Sequence, residues 1–184
     1  MVITGIQILY HLFFFTRVAF YRFKESNQPL PPVTIIICAK DEVNNLRRNL
    51  PTLCTQDYPA DYEVLVVNDN SDDGTLELLF DFVHEFDKLD YRNIPQQAKV
   101  LNGKKFALTI GVKAAKYEHV ILTDADCEPS SKHWLQKMAS RFTDKKQIVL
   151  GFGAYEKRKS FLNRCIRFET YITALQYLSY AMSG

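Results

Sequence analysis

Acidic and amide side chains gather at three places in this chain of 184 residues: Ala39-Lys40-Asp41-Glu42, Asn68-Asp69-Asn70-Ser71-Asp72-Asp73-Gly74 and Asp124-Ala125-Asp126. Two carboxylates spaced as in Asp124-Ala125-Asp126 can reach one hard divalent cation and leave positions open for phosphate oxygens. The pair alone is weak, because 12 aspartates in 184 residues produce about one such pair by chance, and two turn or capping aspartates would look the same. Its place directly after an apolar run is what gives it weight. Asp69 is likewise set to accept hydrogen bonds from a base or ribose at the end of an apolar run. The stretch Asn70 to Thr75 is also a turn into a helix, which Ser71, Asp72 or Asp73 can cap. Glu42 doubles as a first-turn acid favoured by the helix dipole. Gly103-Lys104-Lys105 opens a helix whose backbone N–H groups and lysine suit a diphosphate, although the spaced glycine and the Ser/Thr of a P-loop are missing.

These clusters need rigid elements beneath them. Val33 to Ala39 (VTIIICA) is a continuous apolar run rich in β-branched residues, as in a strand buried on both faces. Glu63 to Val67 and His119 to Thr123 read as further strands, and Ile148 to Leu150 as a closing one. Between them lie helical patterns: residues 41 to 54 with Leu46, Leu50 and Leu53 on one side and a break at Pro51; Leu76 to Phe86 with a stripe at Leu76, Leu79, Phe80, Val83 and Phe86; and Gly103 to Ala115. A fourth, capped by Ser130 or Ser131, carries Trp134, Leu135, Met138 and Phe142. Strands alternating with helices imply right-handed βαβ units and a mostly parallel sheet. Ligands of such sheets bind beyond the carboxyl ends of the strands, where all three acidic clusters fall.

The ends differ from this middle. Residues 1 to 23 carry no charge from Val2 to Thr16 and are crowded with aromatics before Arg17, Arg22 and Lys24. No basic start or cleavage site marks a signal peptide. The run falls short of the roughly 20 apolar residues of a full span, but its aromatic and basic end matches the cytoplasmic flank of a membrane helix. The expectation is a membrane anchor, whole or shortened at its start, with the rest of the chain on the cytoplasmic side. The competing reading is a helix buried against its own domain. Residues 24 to 32 form a proline-closed linker. The tail, residues 156 to 184, reads as an amphipathic basic and aromatic helix with apolar positions 161, 165, 168, 172 and 175. Beside Lys157, Arg158, Lys159, Arg164 and Arg167, it suits an anionic membrane surface, a core or acceptor-site contact, or a solvated face.

Composition narrows the function classes. Lys and Arg number 23 against 21 Asp and Glu, and a net charge of +2 argues for no nucleic-acid partner. Cys38, Cys54, Cys127 and Cys165 form no CxxC pair, which disfavours a disulfide scaffold or a zinc site. No GxSxG, GxGxxG or HExxH occurs, and His11, His84, His119 and His133 are scattered.

In order, VTIIICAKDEVNNLRRNLPTLCTQDYP, EVLVVNDNSDDGT, NGKKFALTIGVKAA and HVILTDADCEP resemble the family-two glycosyltransferases over residues 33 to 155. Members of that family typically read ARNE, VDDGSTDGT, GKAGALN and DAD at these places. The resemblance implies an α/β GT-A fold, a Rossmann-like mostly parallel sheet flanked by helices, here preceded by the hydrophobic N-terminal helix. It implies that Asp69 holds the nucleotide base of a UDP- or GDP-sugar, with Ala39 and Glu42 lining the same pocket. Lys104 would lie near the nucleotide, Asp124 near the ribose or metal, and Asp126 would be the principal ligand of Mn²⁺ or Mg²⁺. The implied reaction is inverting transfer to an acceptor hydroxyl, with a glycan or lipid-linked acceptor by analogy. Asp41 and Asn68 depart from the usual Asn and Asp.

After Asp126, only Glu128, Asp144, Glu156 and Glu169 are acidic, and none sits in a context resembling the family's base motif. No catalytic base is assigned. About 160 residues follow the hydrophobic start, fewer than this fold usually uses, so the base and acceptor half are expected beyond Gly184. Two alternatives stay open: a donor-binding fragment without catalysis, and a sugar-nucleotidyltransferase, which would want a glycine-rich loop where this chain has Ala39-Lys40-Asp41-Glu42.

Overall fold

The computed structural model of the chain describes residues 2–22, 29–95, 103–143 and 147–182. Two compact units emerge, one of Ser26–Gln147 and one of Met1–Glu25 with Ile148–Gly184. Residues 24–28 of the expected linker lie outside the described residues.

The first unit holds strands β1 (Val33–Ala39), β2 (Tyr62–Asn68), β3 (Leu89–Asn93) and β4 (His119–Asp124), with helices α2 (Val43–Cys54), α3 (Thr75–Glu85), α4 (Lys104–Ala114) and α5 (Trp134–Ala139). All strand pairs are parallel, in the order β3-β2-β1-β4. β1 is central because its run is apolar on both faces. Val33, Ile35, Ile37 and Ala39 pack with Leu46, Leu50, Leu53, Leu79 and Leu135 on one side, and Ile36 packs with Val67 and Ala107 of α4 on the other. Each fully buried Ile or Leu contributes about 1.5–3 kcal/mol of transfer free energy. The buried Thr34 is satisfied at the opposite end of the sheet, donating to Glu63 Oε1 (2.7 Å) and accepting from Tyr117 N–H (3.1 Å).

Several local expectations are corrected. Ile148 to Leu150 forms no strand, and Ile148 is 84% exposed; among the described residues the run has no partner strand, and so short an apolar run cannot hold an extended ladder alone. Pro51 sits inside α2 without ending it. The carbonyl that loses its donor belongs to Arg47, an exposed residue, so water can take that place. On α3 the buried face is Thr75, Leu78 and Leu79, whereas Phe80 is 58% exposed and stacks edge-on with His84. The helix presents two neighbouring apolar stripes, and the sheet covers only one. Neither Ser130 nor Ser131 caps α5, whose N-cap is His133. β3 (LDYRN) was not anticipated, because an edge strand paired on one side tolerates polar residues.

The second unit holds α1 (Val2–Ala19) and α6 (Phe161–Ala181). α1 buries no residue, and by length and composition it is long and apolar enough to cross a membrane: 18 residues with mean hydropathy 1.4. It touches α6 through the Tyr10–Tyr180 hydroxyl pair and the Phe14–Tyr180 rings, 5.6 Å apart. The expected apolar stripe of α6 leaves Phe161 and Phe168 exposed, with Ser160 capping the helix through Asn163 N–H (3.1 Å).

Candidate functional site

Parallel register brings the three acidic clusters to one edge of the sheet. Ala39 lies beside Asn68, Asn68 beside Asn93, and Cys38 beside Asp124. The chain therefore leaves β1, β2 and β4 at the same level. Asp69, Asp41 and Asp126 follow within a few residues of that line.

The first two loops are tied to each other. Asp69 N–H donates to the Ala39 carbonyl (2.8 Å), Asp41 N–H to Ser71 Oγ (2.9 Å), and Asp72 N–H back to Asp41 Oδ1 (2.9 Å). Asp41 and Asn70 both take left-handed backbone, φ 56° and 52°, which Asp and Asn tolerate better than most residues. Asp41 in place of the expected Asn keeps that tolerance and the accepting Oδ1. The Ala39 side chain is buried, and its carbonyl is the group that holds Asp69 N–H. Asn68 is buried too. Its amide donates to Asn93 Oδ1 (2.9 Å) and its oxygen accepts from Ser71 Oγ (2.5 Å). A carboxylate there could not donate to Asn93 and would be desolvated.

Glu42 is the N-cap of α2, and its Oε2 accepts from Asn45 Nδ2 (2.6 Å). Asp73, rather than Ser71 or Asp72, serves two helix starts. Its Oδ2 accepts from Val43 N–H (2.9 Å) and its Oδ1 from Thr75 N–H (3.0 Å) and Thr75 Oγ1 (2.6 Å). Desolvation pushes its carboxyl upward, but these hydrogen bonds outweigh it and hold the pKa below the usual value. The N-cap of α3 itself is Gly74, at φ 91°.

The third loop is a turn closed by Cys127 N–H on the Asp124 carbonyl (3.1 Å). Asp124 and Asp126 are exposed while Ala125 between them is buried. Lys104 follows the N-cap Gly103, where φ is 117°, and forms an ion pair with Asp124. The hydrogen bond that the Lys104 ammonium donates to Asp124 is the main cause of its raised pKa, with desolvation opposing and the charges of Asp124, Cys38 and Asp126 adding to it.

Asp69, Lys104 and Asp124 also share a neighbour that sequence reasoning missed. The half-buried Cys38 thiol is pushed up by burial, down by Lys104, and up again by Asp124 and Asp69. Its only sequence signal was its place one residue before the end of β1.

The donor set fits a hard divalent cation in part. Asp124 and Asp126 offer exposed oxygen ligands on one turn. Among the described residues no group of three or more His, Cys, Asp or Glu side chains gathers, so a cation here would complete its shell with phosphate oxygens and water. Of the later acids, Glu156 pairs with Arg158 (3.4 Å), Glu128 and Glu169 are exposed, and Asp144 lies outside the described residues.

Comparison with known proteins agrees with this arrangement. The profile of Glycosyl transferase family 2 matches residues 34–179. The β-monoglucosyldiacylglycerol synthase of Trichormus variabilis is 31% identical over 150 residues, covering 81% of this chain and 30% of that protein. The probable glycosyltransferase YdaM of Bacillus subtilis is 29% identical over 179 residues, covering 90% of this chain and 42% of that protein. This chain thus spans less than half the length of either relative. Among solved structures, the mannosyltransferase PcManGT of Pyrobaculum calidifontis, in complex with GDP-Man and Mn²⁺, superposes with a TM-score of 0.66 at 25% identity, covering 77% of this chain and 41% of that one.

Proposed function

The chain belongs to glycosyl transferase family 2 and has a GT-A fold, and from that premise we propose that it binds a nucleoside-diphosphate sugar and a divalent cation at the carboxyl edge of its sheet and transfers the sugar to an acceptor hydroxyl with inversion. The observation that carries this reading is the register that sets Ala39 beside Asn68 and Cys38 beside Asp124 on neighbouring strands, with Lys104 paired to Asp124.

In this mechanism Asp69 accepts hydrogen bonds from the nucleotide base, its backbone held by Ala39 and its loop by Asp41 and Ser71. Glu42 borders the same pocket. Lys104 and the N-terminal N–H groups of α4 meet the negative diphosphate. Asp124 and Asp126 hold Mn²⁺ or Mg²⁺, which, when bound, neutralises charge on the departing nucleoside diphosphate. The acceptor oxygen attacks the anomeric carbon from the face opposite the diphosphate and loses its proton to a carboxylate base; the bond from that carbon to the phosphate oxygen breaks. None of the residues described above is assigned as that base.

The donor is a UDP- or GDP-sugar; Mn²⁺ and GDP-Man in the similar mannosyltransferase support this. A glycan or lipid-linked acceptor is supported by the name of the glycolipid synthase. The unburied α1, with Arg17 in its last turn and Arg22 after it, supports membrane association with the sheet domain on the cytoplasmic side.

The test is titration of UDP- and GDP-sugars into the full chain with and without Mn²⁺. Metal-dependent binding that disappears in Asp126→Ala is expected. Absence of metal-dependent binding to any of these nucleotides overturns the proposal.

A further inference from the structure

The apolar stripe of α2 is interrupted by an amide. Leu46, Leu50 and Leu53 are buried against the sheet, and Asn49 among them is only 1% exposed. A leucine would extend the stripe, whereas a buried amide is costly unless its hydrogen bonds are made. Asn49 makes them. Its Nδ2 donates to the carbonyl of Ala125 at 2.8 Å, across 76 residues of chain, and its Oδ1 accepts from Arg48 Nε at 3.1 Å.

Ala125 is the middle residue of the acidic turn. The turn's own hydrogen bond, Cys127 N–H to the Asp124 carbonyl, leaves the Ala125 carbonyl to find a partner elsewhere. That carbonyl belongs to the peptide joining Ala125 to Asp126, so fixing it fixes the plane from which the Asp126 side chain departs. Two turns further on, buried Gln56 secures the far end of the same segment. It accepts from Leu135 N–H (3.0 Å) and donates to the Ser131 carbonyl (3.3 Å).

We propose that Asn49 is a positioning residue for the cation-binding carboxylates, setting the orientation of the Ala125–Asp126 peptide so that Asp124 and Asp126 face one ion. This rests on the donor-and-metal reading above. Groups that act behind metal ligands in this way typically change metal affinity by about 10–100-fold when removed.

The experiment titrates Mn²⁺ into the full chain, alone and with UDP or GDP, and measures metal-free nucleotide binding and Tm in parallel. Asn49→Leu keeps the size and removes the donor; Asn49→Asp keeps the shape and, when ionised, cannot donate. In both, Mn²⁺ affinity is expected to fall about tenfold or more, with metal-free nucleotide affinity unchanged. Gln56→Leu serves as the structural comparison and is expected to lower Tm without moving the Mn²⁺ midpoint. Wild-type Mn²⁺ affinity in whichever Asn49 variant folds overturns the inference, as does a parallel fall in metal and metal-free binding, or an equal shift in Gln56→Leu. A wild-type chain without metal-dependent binding overturns the parent reading and this one together.

Discussion

The ammonium of Lys104 is paired with the carboxylate of Asp124, joining the first residue of α4 to the last residue of β4. Both side chains are more than half exposed, at 67% and 55%, so the pair stabilises the fold by at most about 1 kcal/mol. Its consequence is electrostatic placement of a cation beside the proposed diphosphate. Lys104→Gln is expected to leave Tm nearly unchanged while weakening UDP or GDP binding about tenfold, the loss of one charge-assisted contact. The free nucleoside should bind as before. Because the Lys104 pKa is raised, its contribution is fully present below the ordinary lysine value and lost only as pH rises through the higher folded value. Calorimetry between pH 6 and 9 should therefore show no titration of this contact.

Asp73 joins the starts of α2 and α3, and its depressed carboxyl pKa makes that joint pH-dependent. The sign follows from the direction. A carboxyl lower in the folded state stabilises above its unfolded value, and the effect is lost as pH falls through the folded value. Urea unfolding should show a stability difference between wild type and Asp73→Ala of about 1 kcal/mol at neutral pH, the scale of a helix cap. The difference should shrink in acid, below the usual carboxylate range. A gap that widens on acidification contradicts the assignment.

Gly111 lets α4 approach the sheet. A Cβ there would lie 2.6 Å from Ile36 Cγ2 and 3.2 Å from Val67 Cγ2. Alanine ordinarily improves a helix interior by up to about 1 kcal/mol over glycine. Here overpacking against two β-branched side chains costs about 1–3 kcal/mol, so Gly111→Ala is expected to lower stability and, by displacing α4, weaken diphosphate binding. A rise in Tm would show that the strands yield instead.

The thiols should separate by environment. Cys54 is buried, and burial pushes its pKa up to about 12, with Lys88 opposing. At pH 8 only about one molecule in 10⁴ then carries the thiolate that reacts. Mass mapping after a brief maleimide treatment should find the exposed Cys165 modified and Cys54 untouched until urea unfolds the protein. Equal labelling of the two in the folded chain would contradict the packing around α2.

Elements covered on both sides were legible. VTIIICA reads as β1 because burial on both faces leaves no charged position, and the Asp124-Ala125-Asp126 turn stands out because it directly follows HVILT. Elements whose burial is partial were not. β3 carries Asp90 and Arg92 because an edge strand shows one side to solvent, and these two pair with each other at 2.7 Å. α3 has apolar residues enough for two stripes, and periodicity cannot tell which faces the sheet. The caps went astray because the residue before each helix is set by the path of the preceding loop: Gly74 and His133 hold those places, while Asp73 bonds across to Val43.

The alternation of β1, β2 and β4 with helices, the residue types at the ends of those strands and the family resemblance follow from the sequence by itself, because periodicity and short motifs report local burial and local chemistry. Tertiary structure decided the rest. It set the register that puts Cys38 beside Asp124, the ties between Asp41 and Ser71, and the hydrogen bond from Asn49 to Ala125. Those contacts join residues 30 to 86 positions apart in the chain. Nothing in the local pattern encodes their partners; they form only when packing the helices on the sheet brings the loops to one edge.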